Sequence, residues 1–254
     1  MVSLSSRQKD ILTYLERSNG VLSSTILSNQ FSVSVQTIRK DLNELSDKGM
    51  VKRVHGGICL PGANDNLSYS NRDILNLSAK QRIARQVVSE LPEGISIFLG
   101  IGTTPKNVAH ALLDHPGLTV VTNNINAALM LSRNPNIVVH LAGGAVRTSD
   151  EDTVGEATTH FYRQFNIKIG IFGAGGLGNK GQLLDFTPEE ACLTRAIIEH
   201  SQQCWLVADT TKLGRYAPIV SGQLFEIKRM FVDEENNAIQ TLCQQNNTEL
   251  VVCC

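Results

Sequence analysis

The residues best suited to chemistry lie in one short run, Gly102-Thr103-Thr104-Pro105-Lys106. Ile97-Phe98-Leu99 before it reads as an apolar strand, and Val108, Ala109, Leu112 and Leu113 after it recur at helical spacing. A strand, a glycine turn and a helix leave the first N–H groups of the helix without internal partners. Such a helix start attracts anions. Two threonine hydroxyls stand beside those amides, and Lys106 adds positive charge. The run fits a phosphate cradle. It also fits an ordinary capped helix, with Thr104 as N-cap and Pro105 at the first helical position.

The elements that must hold this run alternate from Ile95 onward. Strands are predicted near 95–99, 118–122, 136–141, 167–172, 204–208 and 228–232. Helices are predicted near 105–113, 124–132, 157–164, 188–200 and 236–246. A further helix, capped by Ser78, precedes them, with Ile83, Ala84, Val87 and Val88 apolar. That order predicts a layered α/β domain with a mostly parallel sheet, in which ligands gather at the carboxyl ends of strands. The loops there contain Asn123 and Asn124, Gly143-Gly144 with Arg147, Gly173 to Gly178, and Asp209 with Lys212. The asparagines can bond sugar hydroxyls or cap the following helix. Gly173-Ala174-Gly175-Gly176-Leu177-Gly178 matches the spacing of a dinucleotide fingerprint. Asn179-Lys180-Gly181 follows it, however, and a turn supplies no helix start for a pyrophosphate.

The first sixty residues have a different pattern. Three short helices are predicted: one after Ser6 with Ile11, Leu12 and Leu15 buried, one from Ser23 or Ser24 with Ile26, Leu27 and Phe31, and one from Val35 to about Lys48. Ser34 caps the third, whose buried stripe is Val35, Ile38, Leu42 and Leu45. Its other face carries Gln36, Thr37, Arg39 and Lys40. This is a helix-turn-helix pattern, whose last helix enters the major groove. Arg and Gln there can read guanine or adenine, while Lys40 suits a phosphate. Met50 to Leu60 reads as strand, Gly-Gly turn, strand: a wing, with Lys52, Arg53 and His55 placed along a DNA backbone. The alternative is a three-helix cap with a solvated polar face.

Charge agrees with a nucleic-acid-binding head. Up to Leu60 there are eight Lys/Arg against five Asp/Glu, and beyond it fifteen against nineteen. No stretch approaches the roughly 20 apolar residues that span a bilayer. Met1 to Arg7 lacks the apolar core of a leader peptide, so a cytoplasmic protein is expected. The six cysteines (Cys59, Cys192, Cys204, Cys243, Cys253, Cys254) contain no C-x-x-C pair. They point to neither a zinc site nor a disulfide framework. No metal and no cofactor is expected.

Thr37-Ile38-Arg39-Lys40-Asp41-Leu42 followed by Arg53-Val54-His55-Gly56-Gly57 resembles the N-terminal domain of DeoR-type bacterial transcription regulators. The body resembles the sugar-phosphate-binding domain of the same family. The matching pieces are Lys80-Gln81-Arg82-Ile83-Ala84, Ile101-Gly102-Thr103-Thr104, Val121-Thr122-Asn123-Asn124, Leu141-Ala142-Gly143-Gly144, Gly155-Glu156-Ala157, Arg195 to Glu199 and Asp209 to Arg215. The resemblance implies a winged helix-turn-helix over residues 1–60, a linker over 61–77 and an α/β effector domain over 78–254. It implies a repressor of a sugar or polyol catabolic operon that binds double-stranded operator DNA as a dimer or tetramer, away from membranes. The DNA contacts would be Ser34, Gln36, Thr37, Arg39, Lys40, Lys52, Arg53 and His55. The effector would be a phosphorylated sugar or polyol, glycerol 3-phosphate among them. Its phosphate would bind at Gly102, Thr103, Thr104 and Lys212, and its polyol end near Asn123, Asn124 and Asp185. Gly100 departs from the pattern, since the family usually has Asp there.

This type of domain also resembles ribose-5-phosphate isomerase, so an isomerase with an accessory DNA-binding head is the alternative. Proton transfer between carbons needs a carboxylate base. The isomerase pattern G-A-D-E reads here Gly173-Ala174-Gly175-Gly176. In the later K-G-G-G-A-A-L-T-R-E stretch, Thr187 replaces the lysine and Ala196 the base. Of those groups only the later lysine persists, as Lys212. The pattern therefore favours a sensor over a catalyst. A third reading keeps the DNA-binding head and uses the body only for oligomerisation.

Overall fold

The computed structural model describes residues 4–17, 21–54, 57–59, 72–73 and 76–253. The chain divides into two compact units, Met1–Leu77 and Ser78–Cys254. Of the expected linker 61–77, only 72, 73, 76 and 77 are among the described residues.

In the first unit, α1 (Ser6–Arg17), α2 (Ser24–Phe31) and α3 (Val35–Asp47) enclose Ile11, Leu15, Leu27, Ile38, Leu42 and Leu45, all fully buried. Ser23 caps α2 by accepting from Ile26 N, and Ser34 caps α3 by accepting from Thr37 N. Ser32, with a left-handed φ of 51°, ends α2 and makes the tight turn. Arg7 reaches Asp41 at 2.6 Å and fixes α1 against α3. β2 (Lys52–Val54) pairs antiparallel with β3 (Gly57–Cys59) as the wing. β1 (Val21–Ser23) adds a third strand on β3, which the sequence reading did not anticipate.

The second unit is built on a seven-stranded parallel sheet in the order β15-β14-β12-β9-β4-β5-β6. Its strands are β4 (Ser96–Leu99), β5 (Leu118–Thr122), β6 (Ile137–Leu141), β9 (Ile167–Phe172), β12 (Ser201–Val207), β14 (Arg229–Val232) and β15 (Glu249–Val252). Side chains alternate between two cores. Ile97 and Leu99 enter one with Ile83, Val108 and Leu131, while Phe98 enters the other with Tyr162, Leu193 and Ile239. The helices Leu77–Ser89, Thr103–Ala111 and Ile125–Leu131 thus cover one face. The helices Glu156–Tyr162, Pro188–Glu199 and Asn237–Gln245 cover the other.

Strand order runs outward from β4 through β5 to β6, then returns to the other side of β4 with β9. The carboxyl ends of β4 and β9 therefore flank a topological switch point, where α/β sheets bind ligands. Above it sit two smaller pieces: the antiparallel pair β7 (Ala145–Arg147) and β8 (Asp152–Val154), and an antiparallel sheet β10-β11-β13 (Gly176–Leu177, Gln182–Asp185, Ile219–Gln223). The helix expected to be capped by Ser78 begins at Leu77, so Ser78 is its second residue and not its cap.

Candidate functional site

The candidate DNA-binding surface is built from α3 and the β2–β3 pair. Ser34, Gln36, Arg39, Lys40, Lys52 and Arg53 are exposed, and Thr37 is half-buried. Ser34 and Thr37 are committed to the cap, with their hydroxyls 2.8 Å apart. Arg53 donates from Nη1 to Asn43 Oδ1 at 3.0 Å, which ties the wing to α3. His55 lies outside the described residues.

In the second unit the cradle starts earlier than its sequence suggested. The N-cap is Gly102, not Thr104, and Thr103, Thr104 and Pro105 are the first three helical residues. The physical reason is the backbone. Gly102 has φ +107°, a conformation L side chains rarely adopt, and it turns the chain from the strand directly into the helix. No side chain caps this helix. Pro105, at the third position, removes one donor and leaves the amides of Thr103 and Thr104 as the leading N–H groups.

A ring of contacts surrounds the switch point. Thr122 donates from Oγ1 to Leu99 O at 2.6 Å, joining β5 to β4, and Asn124 N donates back to Thr122 Oγ1 at 3.0 Å. Asn124 bridges to Asp152 on β8. Asp152, fully buried, accepts from Arg147 Nε at 3.0 Å and from Nη2 at 2.6 Å. Arg147 Nη1 donates to Glu190 Oε1 at 2.6 Å, and Glu190 Oε2 accepts from Phe186 N at 3.0 Å. Asp185 accepts from Gly175 N at 3.1 Å, in the loop that follows β9. A Cβ on Gly173, in that same loop, would lie 3.6 Å from Pro105, in ordinary contact with the cradle helix.

This ring sorts the expected polar ligands. Asn123 is buried scaffold: its Oδ1 accepts from Tyr162 OH at 2.8 Å and its Nδ2 donates to Thr153 O at 2.7 Å. Asp185 is also scaffold. Its second oxygen accepts from Thr194 Oγ1 at 3.0 Å, and burial pushes its carboxyl above the ordinary range. Both side chains are hydrogen-bonded to neighbouring protein groups in this structure. Asn124 divides its roles. Its Oδ1 caps the helix Ile125–Leu131 by accepting from Ala127 N at 3.0 Å, while its Nδ2 is buried with no partner. Lys212 ends the 3-10 turn Thr210–Lys212 that Asp209 caps, past the carboxyl end of β12. Burial pushes the Asp209 carboxyl up, but Lys212, the Thr211 hydroxyl and Lys80 together hold it below the ordinary range. Lys80, 4% exposed, was not among the expected site residues. Its place on the apolar face of a helix was the available signal.

The positions where an isomerase would carry its acids are closed. A Cβ at Gly176 would sit 2.1 Å from Arg215 O, and one at Gly175 would sit 2.9 Å from both Leu184 O and the Phe186 ring. Gly100 is equally tight, 2.9 Å from Phe172 Cβ, so an Asp there requires β4 and β9 to move apart. A cavity of about 330 Å³ lies elsewhere, between Glu156, Thr159, Arg163 and Cys192, and shares no residue with the ring. Among the described residues no cluster of His, Cys, Asp and Glu is arranged to hold a metal. No helix among them is long and apolar enough to cross a membrane.

Comparison with known proteins bears on both units. The DeoR-like helix-turn-helix domain matches residues 7–62, and the DeoR C-terminal sensor domain matches 75–234. The chain belongs to the DeoR family. This DeoR-family chain is 42% identical over 219 residues to the glycerol-3-phosphate regulon repressor of Escherichia coli K12, covering 86% of this chain and 87% of that one. It is 39% identical over 247 residues to the repressor of the same name from Haemophilus influenzae, covering 97% and 96%. Among solved structures it is similar to ribose 5-phosphate isomerase A from Neisseria gonorrhoeae. That likeness has 17% identity and a TM-score of 0.39, and covers 55% of this chain and 54% of the other. The two relatives named are regulon repressors, and with its own DeoR-like helix-turn-helix domain this chain is a DNA-binding transcription regulator.

Proposed function

We propose that this protein represses a sugar or polyol catabolic operon and releases its operator when a small phosphorylated polyol, glycerol 3-phosphate in the first instance, binds the second unit. The phosphate sits on the amides and hydroxyls of Thr103 and Thr104, with Gly102 allowing close approach and Lys212 supplying charge. Arg39 and Gln36 read bases, while Lys40, Lys52, Arg53 and His55 meet the phosphate backbone. Two-fold operators require at least a dimer. Residues 61–77 connect the DNA-binding head to the effector domain, with Leu77 already the first residue of the helix Leu77–Ser89.

The observation that carries this reading is the helix start at the switch point. It is capped by glycine alone, so no side chain of its own occupies the place of an anion. The names of the relatives support glycerol 3-phosphate as the first compound to try. The test is a gel shift on an operator fragment enriched from random DNA. Glycerol 3-phosphate should release the wild-type protein and leave Thr103→Ala/Thr104→Ala bound. Release of the double variant at the same concentration refutes the cradle.

A further inference from the structure

The three-stranded sheet of the first unit sorts the basic residues of the wing onto two faces. Arg53 on β2 lies directly opposite Ile58 on β3, and Lys52 lies opposite Cys59. Residues directly opposite in an antiparallel pair share a face, and neighbours along a strand alternate. Ile58 is fully buried in the core that α1, α2 and α3 enclose, and Val51, two residues before Arg53, is 3% exposed in the same core. The face of Arg53 is therefore the one toward the helices, and Lys52 takes the other.

Arg53 itself stays exposed, on a strand at the edge of the sheet order β1-β3-β2. It reaches α3 where its Nη1 donates to Asn43 Oδ1 at 3.0 Å. Asn43 is exposed, three residues after Lys40 and four after Arg39, so it neighbours both on the outer side of the helix. The partner is an amide, which fixes the guanidinium and leaves its charge whole. A guanidinium has several donors in a rigid fork; one carbonyl oxygen occupies one of them, and a phosphate can take others.

We propose that Asn43 is a positioning residue for operator binding: it holds Arg53 of the wing beside Arg39 and Lys40, so that helix and wing present one continuous run of positive charge to the DNA. The inference rests on the reading of Arg53 as a phosphate contact and adds the residue that aims it.

The experiment follows binding of the full chain to the operator fragment enriched from random DNA, by fluorescence anisotropy at several salt concentrations. Arg53→Ala should lower the salt slope by about one, the loss of one phosphate contact. Asn43→Ala removes no charge, and alanine is the better helix former, so α3 keeps its fold. It should nevertheless weaken binding by about three- to tenfold and lower the slope toward the Arg53→Ala value. In the Arg53→Ala background the same substitution should change neither quantity. A wild-type slope in Asn43→Ala, or an equal loss of affinity with and without Arg53, overturns the positioning role and leaves the phosphate contact standing. An unchanged slope in Arg53→Ala overturns that contact and the inference with it.

Discussion

Replacing Tyr162 by Phe tests whether Asn123 is scaffold or ligand contact. Tyr162 is fully buried, stacks on Phe98 with ring centroids 4.9 Å apart, and donates its hydroxyl to Asn123 Oδ1 at 2.8 Å. Phenylalanine keeps the stack and the volume. The loss is one donor, which leaves a buried amide oxygen unsatisfied at a cost of about 1–3 kcal/mol. For a unit of this size each kcal/mol lowers the melting temperature by about 2–4 °C. The expected drop is thus about 2–12 °C, the product of those two ranges. The assay has a built-in reporter. The protein's one tryptophan, Trp205, is 3% exposed on β12, so its fluorescence follows the second unit and not the DNA-binding head. Tyr162→Phe should melt earlier yet still respond to glycerol 3-phosphate once folded. An unshifted melt with a lost ligand response would refute the reasoning and return Asn123 to the ligand.

Further outcomes follow from the structure. Arg39→Ala should cost about 1–3 kcal/mol of operator affinity and relax preference at one base, while Lys40→Ala should weaken all sequences alike and lower the salt slope by about one; both are read by titration at several salt concentrations. Gly176→Ala pushes a Cβ to 2.1 Å from Arg215 O, so the Trp205 melt should fall by the equivalent of about 1–3 kcal/mol or more. Asp209 titrates below its ordinary 3.8, so its charge stabilises the fold above that value, and the contribution is lost as pH falls through the lower folded value. Lys212→Ala raises that folded value and should move acid unfolding to higher pH. Asp185 is opposite in sign: raised from 3.8, it favours the fold in mild acid and loses that contribution as pH climbs through its folded value, so Asp185→Asn should flatten this limb.

The sheet strands were legible because a parallel sheet covered on both faces needs continuous apolar runs, and β5 and β9 match their predicted spans to the residue. The pieces that shape the site were not. β7, β8 and β10 are two or three residues long, too short to show a period, and β11 also pairs with β13, a strand distant in sequence. The wing strand β1 has the same difficulty, since Val21–Ser23 gains its identity only from β3. Thr104 looked like a cap because threonine is a good one. Backbone geometry overrode that preference when Gly102 took a φ open to glycine. Asn123 and Asp185 looked like ligands because polar residues after strands often are. Only their partners, Tyr162 for the first and Gly175 with Thr194 for the second, show the side chains already in use.

Asp209 links the proposed phosphate site electrostatically to the start of the second unit. Its carboxyl is drawn down by Lys212 and by Lys80, and Lys80 lies in the first turn of the helix Leu77–Ser89, where the second unit begins. A phosphate bound at Lys212 as proposed competes with Asp209 for the same positive charge, so the charge balance around Lys80 changes on binding. On that proposal the helix Leu77–Ser89 would feel the ligand through one buried carboxylate. Such a change shifts occupancy of two conformations only by the ligand's differential affinity for them; moving a one-to-ninety-nine ratio to its inverse needs about ten-thousandfold. One cation pair is too small for that alone. The proposed release would then depend on several copies switching together, as an oligomer on a two-fold operator would provide.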